Sequence, residues 1–345
     1  MTAMENNEHY PAQSIFVKII SVLKKFLRMK QIGLTIFLFL MWFVMSRISP
    51  FFLTRSNLLL ILDQASTVAI AGIGMTFVII SGGVDLSVGG VAALSGMIAG
   101  VCLMRLNFGP ILSIVCALLI GVIFGFINGV LISKFKLQPM ISTLGTLSVA
   151  RGLTLISTSG RPIFVLDPTL NYIGNGKIFG IPIAVIIALL VFFIGHIILT
   201  YSEFGRLVYA IGGNEEATRL SGINVDRQKI LIYMISGFCA SLVGVILVGL
   251  LGASEPTVGL GLELDSIAVT AIGGTSLLGG IGGVIGTVIG SVLIGTIKNS
   301  LTILNIVSYY QQVIIGVVII IAVLLEYFRG RRVHKSKKFI QTQTK

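Results

Sequence analysis

Apolar runs of near-bilayer length follow one another through almost the whole of this chain. Many reach the roughly 20 residues that a helix needs to cross a bilayer. Charge is correspondingly scarce. Only 11% of the 345 residues are charged, 55% are hydrophobic, and the mean hydropathy is +1.00. A soluble domain carries about 25% charged residues. A chain this poor in charge does not stay monomeric in water, and the pattern reads as an all-α polytopic membrane protein.

The runs predict about ten transmembrane helices, near 31–49, 59–80, 86–104, 110–132, 139–157, 179–199, 230–252, 264–281, 282–304 and 310–328. Residues 1–30 form a basic segment in the cytoplasm or on the membrane surface, 31–328 the transmembrane domain, and 329–345 a basic cytoplasmic tail. An even count places both termini on one side. Basic residues flanking spans mark the cytoplasm, and much of the net charge of +12 sits at the two ends, in Lys18, Lys24, Lys25, Arg28 and Lys30 and in Arg329, Arg331, Arg332, Lys335, Lys337 and Lys338. Lys134, Lys136, Arg206, Arg219, Arg227 and Lys229 then fall inside, and the acidic loop 253–265 outside. These clusters point to an anionic membrane surface and its lipid, not to nucleic acid.

One hydrophilic segment interrupts the oily background, in a cytoplasmic loop over 200–229. Asn214 is a good N-cap. Glu215 and Glu216 stand in the first turn and Arg219 toward the far end, as the helix dipole favours. Gly222 suits a left-handed stop. A short helix with its own caps in such a loop reads as a docking element.

Glycines spaced by four occur twice, at Gly121, Gly125 and Gly129 and at Gly282, Gly286 and Gly290. Such spacing lines one face of a membrane helix with backbone and lets a neighbour approach closely. Two further segments are broken by glycine, one around Asp85 and Ser87, the other running from Glu263 and Asp265 through Gly273 and Gly274 to Ser276. Their similarity reads as a weak internal repeat, and paired interrupted segments point to a transport pathway. The two aspartates also read as helix N-caps, and the readings are compatible.

Enzymatic signatures are absent: the sequence holds no phosphate-binding loop, no zinc helix and no nucleophile elbow. Cys102, Cys116 and Cys239 lie inside apolar runs without metal spacing. No metal site and no cofactor of its own is expected.

At these motifs the chain resembles the membrane-spanning permease subunits of bacterial ATP-binding-cassette sugar importers of the ribose type. The stretch from Ala210 to Ile223 looks like their coupling loop, and Ser81 to Gly89 like their early signature. Glu263 to Ala268 followed by Gly273 to Ser276 looks like the late one, and Ser308 to Gln312 is similar as well. The resemblance covers residues from about 50 to 328. It implies a multi-pass protein of the bacterial plasma membrane with several partners. These are a cytoplasmic ATP-binding subunit holding ATP and Mg, an external sugar-binding protein, and a second permease, identical or a sister. It also implies that Gly212, Gly213, Asn214, Glu215, Glu216, Ala217, Arg219, Leu220, Ser221 and Gly222 couple this chain to the ATPase. For the translocation pathway the candidates are Asp85, Ser87, Asp265, Thr270, Thr275, Ser276, Asn299, Gln311 and Gln312. Hydroxyls and amides suit a neutral sugar such as ribose, whereas an ionic substrate calls for pore cations. The competing reading is a stand-alone secondary transporter driven by an ion gradient. Such carriers place carboxylates near the midplane, and here most acids lie near span ends.

Overall fold

A computed structural model describes residues 30–307, 309–318, 320 and 324. The basic segment 1–29, Ser308 and the tail 329–345 lie outside them. The first helices are α1 (Lys30–Ile48), α2 (Arg55–Ile80), α3 (Val88–Met104), α4 (Pro110–Ser133) and α5 (Pro139–Thr158). Thr54 caps α2 by accepting from the Asn57 amide at 3.4 Å. Proline at N1 opens both α4 and α5, where its missing N–H costs nothing.

The segment after α5 carries short elements of its own. It holds β1 (Ile163–Phe164), the short helix α6 (Pro168–Asn175) and a hairpin of β2 (Lys177–Ile178) with β3 (Ile181–Pro182). Next come α7 (Ile183–Tyr201), α8 (Glu203–Gly213), α9 (Glu215–Leu220) and α10 (Val225–Leu251). The described elements end with β4 (Ala253–Ser254), which pairs with β1, then α11 (Leu262–Ile272) and α12 (Val284–Ile303). A further helix begins at 309.

Among the described residues seven helices are long and apolar enough to cross a membrane: α1, α2, α4, α5, α7, α10 and α12. The 17-residue α3 is apolar but shorter. The span expected over 264–281 is not one helix. It breaks after Ile272, where Gly274, Gly279 and Gly280 take φ of +90°, +87° and +72°. Only glycine adopts these angles at no steric cost, and the chain turns back as a hairpin held by the Ser276 amide on the Ile281 carbonyl (2.8 Å). An apolar average over 18 residues cannot register such a break. Gly282 belongs to this hairpin and not to the face of α12, which starts at Val284.

The core is built where α2, α3 and α10 meet, around Ile73, Phe77, Val91, Leu94, Ile232 and Ala240. Glycines allow the approach. A Cβ on Gly121 would fall on the Gly237 carbonyl of α10, one on Gly125 on the Tyr233 carbonyl, and one on Gly129 at 2.5 Å from the Ile230 Cα. On α12, Gly286 lies against the Gly273 carbonyl and Gly290 against that of Val269. Overpacking a filled core costs roughly 1–3 kcal/mol, and more where backbone is struck. Gly286→Leu is therefore expected to lower the unfolding temperature of the detergent-solubilised chain by several degrees. Gly145→Leu, with open space beside its Cα, leaves it unchanged. An unaltered Gly286→Leu protein would contradict this packing.

Candidate functional site

Asn214 joins two helices. Its backbone is extended (φ −160°, ψ 103°), ending α8 and starting α9. The side-chain Oδ1 accepts from the Ala217 amide at 2.9 Å, and Thr218 Oγ1 donates to the Asn214 carbonyl at 2.8 Å. Gly222 follows the helix with φ +81°. The expected caps are thus in place. Six residues cannot hold a helix in water by themselves, and charged contacts supply the rest. Arg219 donates to Asp226 at 2.8 Å and to Glu215 at 3.3 Å, Lys229 reaches Glu215 at 2.5 Å, and Lys136 reaches Asp226 at 3.1 Å. This network pins α9 to the first turns of α10 and to the α4–α5 turn.

Two of the charged docking candidates are therefore committed inward. Glu215 and Arg219 brace the helix, while Glu216, Ala217 and Leu220 face out, with Leu220 80% exposed. Glu216 and Leu220 are four residues apart, hence neighbours on one helix face.

The brace has a pH signature. The Arg219 guanidinium holds the Asp226 carboxyl below its ordinary value, with Lys136 assisting. Burial pushes Glu215 up, but Lys229 and Arg219 outweigh it and hold the carboxyl down. A carboxyl depressed in the folded state stabilises it above the unfolded pKa and loses that contribution as pH falls through the folded one. Amide exchange over 214–229, corrected for its intrinsic rate, is expected to quicken below the ordinary carboxylate range. Asp226→Asn should quicken it already at neutral pH; unchanged protection would show that the brace does not hold the helix.

α8 carries this helix and is itself clasped. A Cβ on Gly212 would strike the Ile80 carbonyl at the end of α2 and stand 2.6 Å from the Gly280 amide nitrogen. One on Gly279 would lie 2.9 Å from the Gly212 carbonyl and 3.1 Å from the Gly82 backbone, and one on Gly280 3.2 Å from Gly213. The Gly280 amide donates to the Ile80 carbonyl at 2.8 Å, and Tyr209 Oη to the Gly282 carbonyl at 2.8 Å. Gly82 and the pairs 212–213 and 279–280 thus meet backbone to backbone. They join the end of α8 to both glycine-broken segments.

Asp85 and Ser87 lie at a buried polar junction. Asp85 Oδ1 accepts from the Ser87 amide (2.9 Å) and hydroxyl (2.6 Å), and Oδ2 accepts from Ser236 Oγ (2.7 Å). Asn128 donates to Ser87 Oγ at 2.9 Å, and Thr146 to Asn128 Oδ1 at 2.7 Å. Ser87 and Ser236 bind the carboxylate of a residue that is 1% exposed, and Asn128 and Thr146 extend the chain of bonds from Ser87 to α4 and α5, so that each of these polar groups has the partner that burial demands. Asp85 caps no helix end: the N-cap of α3 is Ser87, whose side chain makes no cap bond. Asn128, Thr146 and Ser236 escaped the sequence reading. Asn128 left a signal, as a lone amide in the apolar run of α4.

The remaining pathway candidates are not brought together. Asp265 sits inside the first turn of α11, whose N-cap is Gly261, and pairs with Lys298 at 2.5 Å. It too is no N-cap. Asn299 exchanges side-chain hydrogen bonds with Asn57 (2.8 and 3.1 Å). Thr270 donates to the carbonyls of Ser266 and Gly72, while Thr275 Oγ1 accepts from the Gly283 amide at 3.4 Å. Ser276 Oγ accepts from the Leu278 amide at 3.3 Å, in the hairpin. Gln311 donates to the Ile306 carbonyl at 2.8 Å, and Gln312 is exposed.

Arg151 and Glu263 were not among these candidates, yet they stand out. Arg151 Nη1 donates to the carbonyls of Pro256 (3.0 Å) and Val258 (2.7 Å), folding that loop onto α5. Arg151 Nη2 and Glu263 Oε2 are buried without hydrogen-bond partners, and Glu263 Oε2 lies on Gly89. Among the described residues no cluster of His, Cys, Asp or Glu is arranged to hold a metal.

The profile described as the permease component of the branched-chain amino acid transport system matches residues 57–323. A ribose import permease protein of Haemophilus influenzae is 44% identical, over 84% of this chain and 90% of its own. The ribose import permease protein of Bacillus subtilis is 44% identical over 86% and 93%. A D-allose transport system permease protein of Escherichia coli is 40% identical over 82% and 87%. No solved structure matches.

Proposed function

The chain belongs to the ribose-type permease family of ATP-binding-cassette importers, and from that membership we propose how it works. It is a multi-pass permease subunit of the bacterial inner membrane, in an importer of ribose or a related sugar. In our reading the chain crosses the membrane ten times. The seven long helices, α3, the helix beginning at 309, and α11 with its hairpin supply the crossings. Both termini lie in the cytoplasm with α8 and α9. Two permease copies, or this chain and a sister, enclose the pathway, and an external binding protein delivers the sugar. ATP and Mg belong to the cytoplasmic ATPase partner.

One observation carries the reading: α9 is braced from within by Glu215, Arg219, Asp226 and Lys229, yet offers Glu216, Ala217 and Leu220 outward. A groove on the ATPase receives that face. When the ATPase pair closes on ATP, α9 moves, and α8 moves with it. The glycine clasp passes the displacement to the end of α2 and to the 275–283 hairpin, and so to α3 and α12. Packed backbone has no slack to absorb the motion.

The competing reading of an ion-driven carrier would rest on Asp85 and Asp265. The first accepts three hydrogen bonds from neutral groups and the second is paired with Lys298. Proteoliposomes decide between the two readings. Sugar uptake is expected only with the ATPase, the binding protein and ATP present. Uptake by this chain alone, driven by a proton or sodium gradient, would overturn the proposal.

A further inference from the structure

A cavity of about 480 Å³ opens between the end of α4 and the start of α10, beside the brace of α9. Its wall is mixed. Phe126, Leu231 and Met234 form an apolar side, while Lys134, Asp226 and Arg227 bring charge. Asp226 is already bound to Arg219 and Lys136, so its carboxylate is more than compensated. Among the described residues Lys134 and Arg227 form no ion pair. The cavity therefore faces an occupant with two cations to spare.

The place is equally specific. Lys134 ends a membrane-length helix, and the neighbouring Phe135 is 68% exposed, an aromatic beside a cation as at a bilayer interface. Phe126 and Leu231, on the membrane side of that level, also show their apolar surface. An adjoining cavity of about 320 Å³ shares Arg227 and Leu231 but includes Glu203, which disfavours an anion there. The positive potential is thus confined to the α4 side.

We propose that this cavity binds one anionic phospholipid of the leaflet on the α9 side. Its phosphate lies between Lys134 and Arg227, and an acyl chain runs along Phe126, Leu231 and Met234. Basic pockets between membrane helices on the cytoplasmic side have the chemistry for such headgroups, and the volume lies within the range of small-ligand sites.

Native mass spectrometry of the full chain in detergent tests this, with phosphatidylglycerol, phosphatidylcholine or inorganic phosphate added. Phosphatidylglycerol is expected to be retained in preference to phosphatidylcholine. Lys134→Gln or Arg227→Gln should each weaken retention roughly fivefold, and the pair roughly thirtyfold. Arg47→Gln with Arg161→Gln, the same charge change elsewhere, leaves it unaltered. Should the Lys134→Gln/Arg227→Gln protein fail to fold, Met234→Trp fills the groove without touching charge and should also reduce retention. Equal retention of phosphatidylcholine would overturn the proposal. So would an equal loss in the Arg47/Arg161 control, unchanged retention in Met234→Trp, or displacement of the lipid by inorganic phosphate, which would make the ligand a soluble anion.

Discussion

Leu220→Asp is expected to abolish sugar uptake while the chain still inserts, folds and keeps the Arg219–Asp226 pair. Leu220 is 80% exposed on a helix fastened through other residues, so its loss leaves the folded chain almost unchanged. An apolar anchor at the centre of a docking face is worth about 2 kcal/mol or more when removed. That is roughly a thirtyfold weaker complex, at 1.4 kcal/mol per factor of ten. A carboxylate in its place must in addition be desolvated in the groove. ATP hydrolysis by the partner should lose its dependence on this chain in parallel with transport. Glu215→Gln acts through the brace instead, so its defect should be milder and accompanied by faster amide exchange over 214–222. Normal uptake by Leu220→Asp would remove α9 from the coupling path.

The second large effect belongs to the clasp. Gly212→Val places a branched side chain where the Ile80 carbonyl and the Gly280 amide already touch. Even alanine carries the offending Cβ. The junction must open, which costs the Gly280–Ile80 hydrogen bond and separates α8 from the end of α2. Uptake is expected to fall at least about tenfold, equivalent to about 1.4 kcal/mol of lost coupling. The docking face of α9 remains intact, so the partner still binds. Gly213→Ala serves as the comparison, because no atom stands within 4 Å of the position of its Cβ. Full transport by Gly212→Val would mean that motion reaches the membrane helices by another route.

These two residues show what could be read from the chain alone. The short helix α9 was legible because its determinants are local: Asn214 caps an amide three residues on, and Gly222 ends the segment. The glycine periods of α4 and α12 were legible as close-packed faces, since spacing by four is a property of the helix itself. Their targets were not: Gly121 meets Gly237 across more than a hundred residues, as Gly212 of α8 meets Ile80, and Gly286 meets Gly273 because the chain turns back between them. For the same reason Arg219 read as a docking cation, whereas its partner Asp226 lies in the next helix. Asp85 read as a cap or a pathway group; its ties to Ser236 and, through Ser87, to Asn128 depend on the tertiary fold. Hydropathy recorded 264–281 as one run, because the glycines that break it are not polar. Arg151 stands within an apolar segment of the sequence, but its partners, the carbonyls of Pro256 and Val258, lie more than a hundred residues away.

In the proposed mechanism α9 seats in a cytoplasmic ATPase through Glu216, Ala217 and Leu220. The direct measurement is affinity capture of the tagged full chain from mild detergent, with the co-purifying proteins identified and quantified by mass spectrometry. The wild type and Gly212→Val are predicted to bring down the same nucleotide-binding ATPase in equal amount, and Leu220→Asp to bring down little or none. Equal recovery of the ATPase with Leu220→Asp, or none with the wild type while uptake persists on an ion gradient, would contradict the account.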